Sequence, residues 1–72
     1  MGIKIALNGI EEELAKELNI NEFLQLKKIR PEVVTLELNG NMIEKNTFET
    51  TVLNNDDKLE MVFYIGGGDF YE

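Results

Sequence analysis

Apolar positions recur along this chain with two different periods. Ile3, Ile5 and Leu7 alternate with Lys4 and Ala6, which predicts a first strand. Asn8-Gly9 follows, a pair that suits a tight hairpin because both central residues of such a turn need positive φ. Ile10, Leu14 and Leu18 are then spaced by four, among Glu, Ala and Lys that favour helix. The same three positions are also all even, so they fit one face of a strand. The preceding turn favours a hairpin, and the expectation is a second strand over Ile10–Leu18.

Asn19 begins a helical pattern. Asn can cap, and Glu22 sits three residues on, where a capping-box partner belongs. Ile20, Phe23 and Leu24 form one face with the stem of Lys27, Leu26 lies beside it and Ile29 closes it. Pro31 stops the helix. Lys27, Lys28 and Arg30 cluster at its end, where cations complement the negative pole of the helix dipole; that reading is preferred to a docking patch.

Val33–Leu38 alternates as a strand, with Val34, Leu36 and Leu38 on one face and Val33, Thr35 and Glu37 on the other. Asn39-Gly40 makes a second turn, and Asn41–Glu44 returns as a short strand. Lys45–Thr51 reads as irregular or briefly helical, with Phe48 as a core anchor. Val52-Leu53 suggests a bridge, and Asn54-Asn55-Asp56-Asp57 a turn. Leu59–Ile65 is the final strand, with Leu59, Met61, Phe63 and Ile65 on one face and Val62 and Tyr64 on the other. One helix can cover one face of the sheet, leaving the second open. The strongly apolar first and last strands belong side by side at the centre, paired in parallel.

Composition narrows what such a domain can do. With 72 residues there is room for one domain and a small core. The chain has no Cys and no His, which removes disulfides, thiolate nucleophiles, Cys/His zinc sites and imidazole acid–base chemistry. Net charge is −7, with the acidic excess in the second half. No basic footprint for nucleic acid appears. The spaced ligands, central Gly and closing Glu of a calcium loop are absent from the Asn54–Asp57 cluster. No apolar run approaches a membrane span, and the start lacks the pattern of a signal peptide, so a cytoplasmic protein is expected. No catalytic set is visible, and an enzyme is not expected.

The end of the chain is different in kind. Gly66-Gly67-Gly68 directly follows the last apolar strand, with Asp69-Phe70-Tyr71-Glu72 after it. Three extended residues reach about 10 Å. Bare backbone beyond a rigid strand makes a thin tail, suited to entering another protein's active site. Frayed termini share this composition. The expected division is a domain over residues 1–65 and a flexible Gly-rich tail over 66–72.

The run Ile5-Ala6-Leu7-Asn8-Gly9, Val33–Leu38 with Asn39-Gly40, Thr51-Val52-Leu53, the Asn54–Asp57 turn, and Leu59–Ile65 with its three glycines together resemble the ThiS family of sulfur carriers, relatives of MoaD. The resemblance covers residues 3–68. It implies an α+β, ubiquitin-like β-grasp fold, with a mixed sheet of four to five strands and one main helix on one face. It also implies a mechanism. A ubiquitin-activating-like partner uses ATP to adenylate a C-terminal Gly carboxylate, and sulfur from a persulfide then gives a thiocarboxylate. By the family pattern the acceptor is Gly68, with Gly67 next and Gly66 as spacer. Docking falls on the open sheet face, for which Val62, Tyr64 and Thr35 are the expected residues. No bound cofactor and no metal are expected, ATP being used by the partner. The implied partners are that adenylating enzyme and thiazole synthase, with the carrier a monomer on its own.

Two features depart from the family. Active members end at the glycine, whereas here residues 69–72 follow, so a trimming protease joins the expected partners. Asp56 stands where many members have Gly, which calls for a left-handed residue or an altered turn. Two other functions fit the same features: a ubiquitin-like module that binds without covalent chemistry, and a carrier for molybdopterin or another sulfur-containing product.

Overall fold

Among the described residues one hairpin precedes a single α-helix and another follows it, and the tight turns have local chemical reasons. The computed structural model describes residues 2–65 and 69–70, with side chains described as far as Phe63. Strand β1 (Ile3–Leu7) turns through Asn8 and Gly9, at φ of 50° and 82°, into the antiparallel β2 (Ile10–Leu14). Helix α1 (Ile20–Leu26) follows, then β3 (Val34–Leu38), β4 (Asn41–Ile43), β5 (Lys58–Ile65) and the short β6 (Asp69–Phe70). The β3–β4 turn repeats the chemistry of the first, with Asn39 and Gly40 at φ of 52° and 87°. Both pairs have the two positive φ values of a type I′ turn.

The sheet runs β2-β1-β5-β3-β4, with β6 paired to β5 off this path. β1 and β5 lie together in parallel at its centre, as their apolar content predicts. β5 is antiparallel to β3 over five residue pairs, from Leu38↔Leu59 to Val34↔Phe63. The choice between strand and helix over Ile10–Leu18 resolves as strand, but only to Leu14. Leu14 faces Ile3, the first residue of β1, so the ladder has no partner beyond it.

The capping box forms as the sequence predicts. Asn19 Oδ1 accepts from Glu22 N–H at 2.8 Å, and Glu22 Oε1 accepts from Asn19 N–H at 3.0 Å. The helix ends earlier than its apolar pattern suggests. Lys28 N–H donates to the Gln25 carbonyl and Ile29 N–H to that of Leu24, the two bonds of a Schellman close. Lys28 holds the left-handed position at φ 61°. Ile29 therefore packs after the helix, against the core, rather than within it. The basic cluster stands just past the last helical residue, with Lys27 as the C-cap and no basic residue inside the last turn. Lys27 also pairs with Glu12 of β2 at 2.6 Å and lies 5.9 Å from the centre of the Phe23 ring.

The core forms between α1 and one face of the sheet. Ile20, Phe23 and Leu24 of the helix join Ile3, Ile5, Leu14, Val34, Leu36, Leu59 and Met61, with Phe48 and Leu53 from the long β4–β5 connection. Phe48 is 1% exposed, and it follows a one-turn 3₁₀ helix over Lys45–Thr47. Another 3₁₀ turn, Pro31–Val33, leads into β3, so that strand starts one residue later than its alternation implied. The Val52 bridge is made with Asn19. Within the stretch expected as a tail, Asp69 and Phe70 form β6, with Tyr64 opposite Phe70 and Ile65 opposite Asp69.

Candidate functional site

The site has two parts, a sheet face and the strand that leads to the glycines. Residues directly opposite one another in a ladder share a face. The registers therefore place Lys4, Ala6, Glu11 and Glu13 on the face away from the helix, together with Lys58, Glu60, Val62, Thr35, Glu37 and Met42. No described helix covers it. Thr35 and Val62, two of the three expected docking residues, stand directly opposite each other. Val62 is 49% exposed. Tyr64, the third, is in β5, and its side chain lies outside what the structure describes.

One exposed apolar residue of this face was not singled out by the sequence reading. Met42, 65% exposed on the edge strand β4, faces Glu37, which in turn faces Glu60. A row of Met42, Glu37 and Glu60 thus crosses the sheet beside the Thr35–Val62 pair. Its signal was present in the alternation of β4, where Met42 falls between Asn41 and Ile43. Two carboxylates directly opposite each other repel at a modest cost to the fold. On a face that docks, the same pair supplies a negative field for a basic surface.

β5 is held from both sides by the two turn asparagines. Asn8 Oδ1 accepts from Met61 N–H at 2.7 Å and its Nδ2 donates to the Met61 carbonyl at 3.2 Å. Asn39 Oδ1 accepts from Lys58 N–H at 2.9 Å, while its Nδ2 donates to Asp57 Oδ1 at 3.0 Å. The strand before the glycines is therefore fixed by side chains as well as by its ladders.

The acidic turn at Asn54–Asp57 is structural. Asp57 Oδ2 accepts from Asn54 N–H at 2.8 Å, Asn55 Oδ1 from Lys4 N–H at 2.8 Å, and Asp56 N–H donates to the Lys4 carbonyl at 2.7 Å. Asp56 is left-handed, at φ 72°, so the turn keeps a glycine-like geometry with an Asp in it. Among the described residues no group of acidic side chains could hold a metal ion, and no helix is long and apolar enough to cross a membrane. The expected acceptors Gly68 and Gly67 and the spacer Gly66 lie outside the described residues.

A model of the ThiS family matches residues 4–68, almost the whole domain and all three glycines. The chain belongs to the ThiS family. As a member it is a small sulfur carrier of β-grasp fold rather than an enzyme. Its fold superposes on the crystal structure of a thiamine biosynthesis protein, ThiS, from Geobacter metallireducens, with a TM-score of 0.80 and 33% identity. That match covers 92% of this chain and 100% of the other. The uncharacterized protein ycf40 of Pyropia yezoensis is 33% identical over 66 residues, covering 92% of this chain and 93% of its own length. A thiazole synthase of Magnetococcus marinus is also 33% identical over 66 residues, but these make up only 20% of that protein.

Proposed function

We propose that this chain carries sulfur for the thiazole of thiamine as a thiocarboxylate on Gly68, after residues 69–72 are removed. The observation that carries the reading is the family match running through Gly68 on a fold shared with a thiamine biosynthesis ThiS protein. The presence of a similar segment within a thiazole synthase supports thiazole synthase as the sulfur's recipient.

The chemistry asks little of the carrier. Hydrolysis of the Gly68–Asp69 bond frees a carboxylate. Its oxygen attacks the α-phosphorus of ATP in a ubiquitin-activating-like partner, and pyrophosphate leaves. The terminal sulfur of a persulfide then displaces AMP from the acyl carbon. A second thiol reduces the resulting acyl disulfide and releases the thiocarboxylate. Every acid, base and nucleophile is supplied by others, in keeping with a chain that has neither Cys nor His. The carrier supplies a narrow terminus, Gly66 and Gly67 before Gly68, and a docking face at Val62, Thr35 and Tyr64. ATP stays with the partner.

The test is a comparison of chains. Residues 1–68 and 1–72, each with the adenylating enzyme of the same organism and ATP, are assayed for pyrophosphate release. Release is expected with 1–68 alone, and Gly68→Ala in that chain lowers it while the fold stays intact. Equal release from 1–72, or none from 1–68, contradicts the reading.

A further inference from the structure

β5 is longer than the strands beside it. Its ladder with β1 ends at Leu7↔Leu59, after which the Asn8 side chain takes both main-chain groups of Met61. Its ladder with β3 ends at Val34↔Phe63. Tyr64 and Ile65 extend past both. Among the described residues, their strand pairing is with β6 alone. β6 runs antiparallel to the strand it follows, so Asp69 stands opposite Ile65 rather than beyond it.

We propose that Asp69–Phe70 is a place-holding strand. In the 72-residue chain it fills the main-chain pairing positions of Tyr64 and Ile65. Its removal opens them to an extended segment of the adenylating partner. This rests on the sulfur-carrier reading for the step that removes residues 69–72. Only two residue pairs hold this strand to β5, and so short a pairing is marginally stable, which keeps the strand displaceable. Strand addition to an unpaired extension supplies affinity through main-chain hydrogen bonds. The place of the partner's strand is thus marked by a strand of this chain already seated there. The proposal also gives residues 69–72 a task beyond blocking the carboxyl: they keep a sticky strand end covered until the carrier is matured.

Isotope-labelled chain tests this by nuclear magnetic resonance. In 1–72, cross-strand contacts are expected between Tyr64 and Phe70 or between Ile65 and Asp69. Amide exchange at Tyr64 and Ile65 should be slowed overall by about fivefold relative to 1–68. Replacing Asp69 and Phe70 together by Pro removes both donors of β6 without shortening the chain, and should reproduce the exchange of 1–68. Protection at Met61, deep in the sheet, stays unchanged as the control for folding. Adding the adenylating enzyme to 1–68 should restore protection at Tyr64 and Ile65. Equal exchange in the free 1–68 and 1–72 chains overturns the place-holder, and no renewed protection in the complex overturns the partner strand as occupant. Pyrophosphate release is read separately, so failure of the carrier chemistry and failure of this pairing are told apart.

Discussion

The side chain of Asn8 closes on both main-chain polar groups of Met61, 53 residues away in sequence. It takes the place of one further rung in the parallel β1–β5 ladder. A turn residue chosen for its positive φ thereby also anchors the strand that leads to the glycines. Asn8→Ala removes both bonds and places a residue less suited to φ 50° in the turn. The expected loss is about 1–2 kcal/mol, read by urea unfolding, with faster amide exchange at Met61.

Besides the turn residues Asn8 and Asn39, two non-glycine positions hold left-handed backbone, Lys28 at φ 61° and Asp56 at φ 72°. Removing the Cβ relieves strain, offset in part by the greater freedom of Gly in the unfolded chain. Lys28→Gly and Asp56→Gly should each stabilise the fold by about 0.5–1 kcal/mol. The midpoint of urea unfolding should rise without a change in slope; a fall at either position would count against a left-handed backbone there.

Glu37 and Glu60 stand opposite each other on the open face, at some cost to the fold. Glu60→Lys converts repulsion into attraction and should add about 0.2–1 kcal/mol of stability. If the acidic row steers docking, the same change slows association with the adenylating enzyme, read by stopped-flow mixing. A more stable variant that docks faster would remove the acidic row from the site.

Val62 is exposed and contributes nothing to the buried core. Val62→Asp in chain 1–68 should leave thermal unfolding within about 0.5 kcal/mol, the usual range for a surface change. Pyrophosphate release should fall at sub-saturating carrier and recover in part at high concentration. An unchanged concentration dependence would move docking elsewhere.

Much of this architecture was legible because local chemistry and global pattern agree. The Asn-Gly turns, the capping box at Asn19 and Glu22, and the apolar first and last strands each have a short-range signature. Ile10–Leu18 was ambiguous because a spacing of four suits both periods. What ends that strand at Leu14 is the start of its partner at Ile3, a fact about pairing that no local window contains. The helix was overextended for a related reason: Ile29 belongs to its apolar stripe but serves the Schellman close. Lys27 was placed at the helix end, but its ion pair with Glu12 joins two elements and is invisible to a local window. On the open face, the positions of Val62 and Thr35 followed from alternation, and the same alternation in the three-residue β4 carried Met42, which the reading left unassigned. The long-range roles of Asn8 and Asn39 required knowing that β5 runs between their turns.

The most direct measurement is the intact mass of this protein taken from its own cells, with and without a thiol-alkylating reagent. A carrier matured by trimming appears as a species ending at Gly68, part of it with one terminal oxygen replaced by sulfur and shifted by the reagent. A population that keeps Asp69, Phe70, Tyr71 and Glu72 throughout, in cells actively making thiamine, would contradict the sulfur-carrier reading.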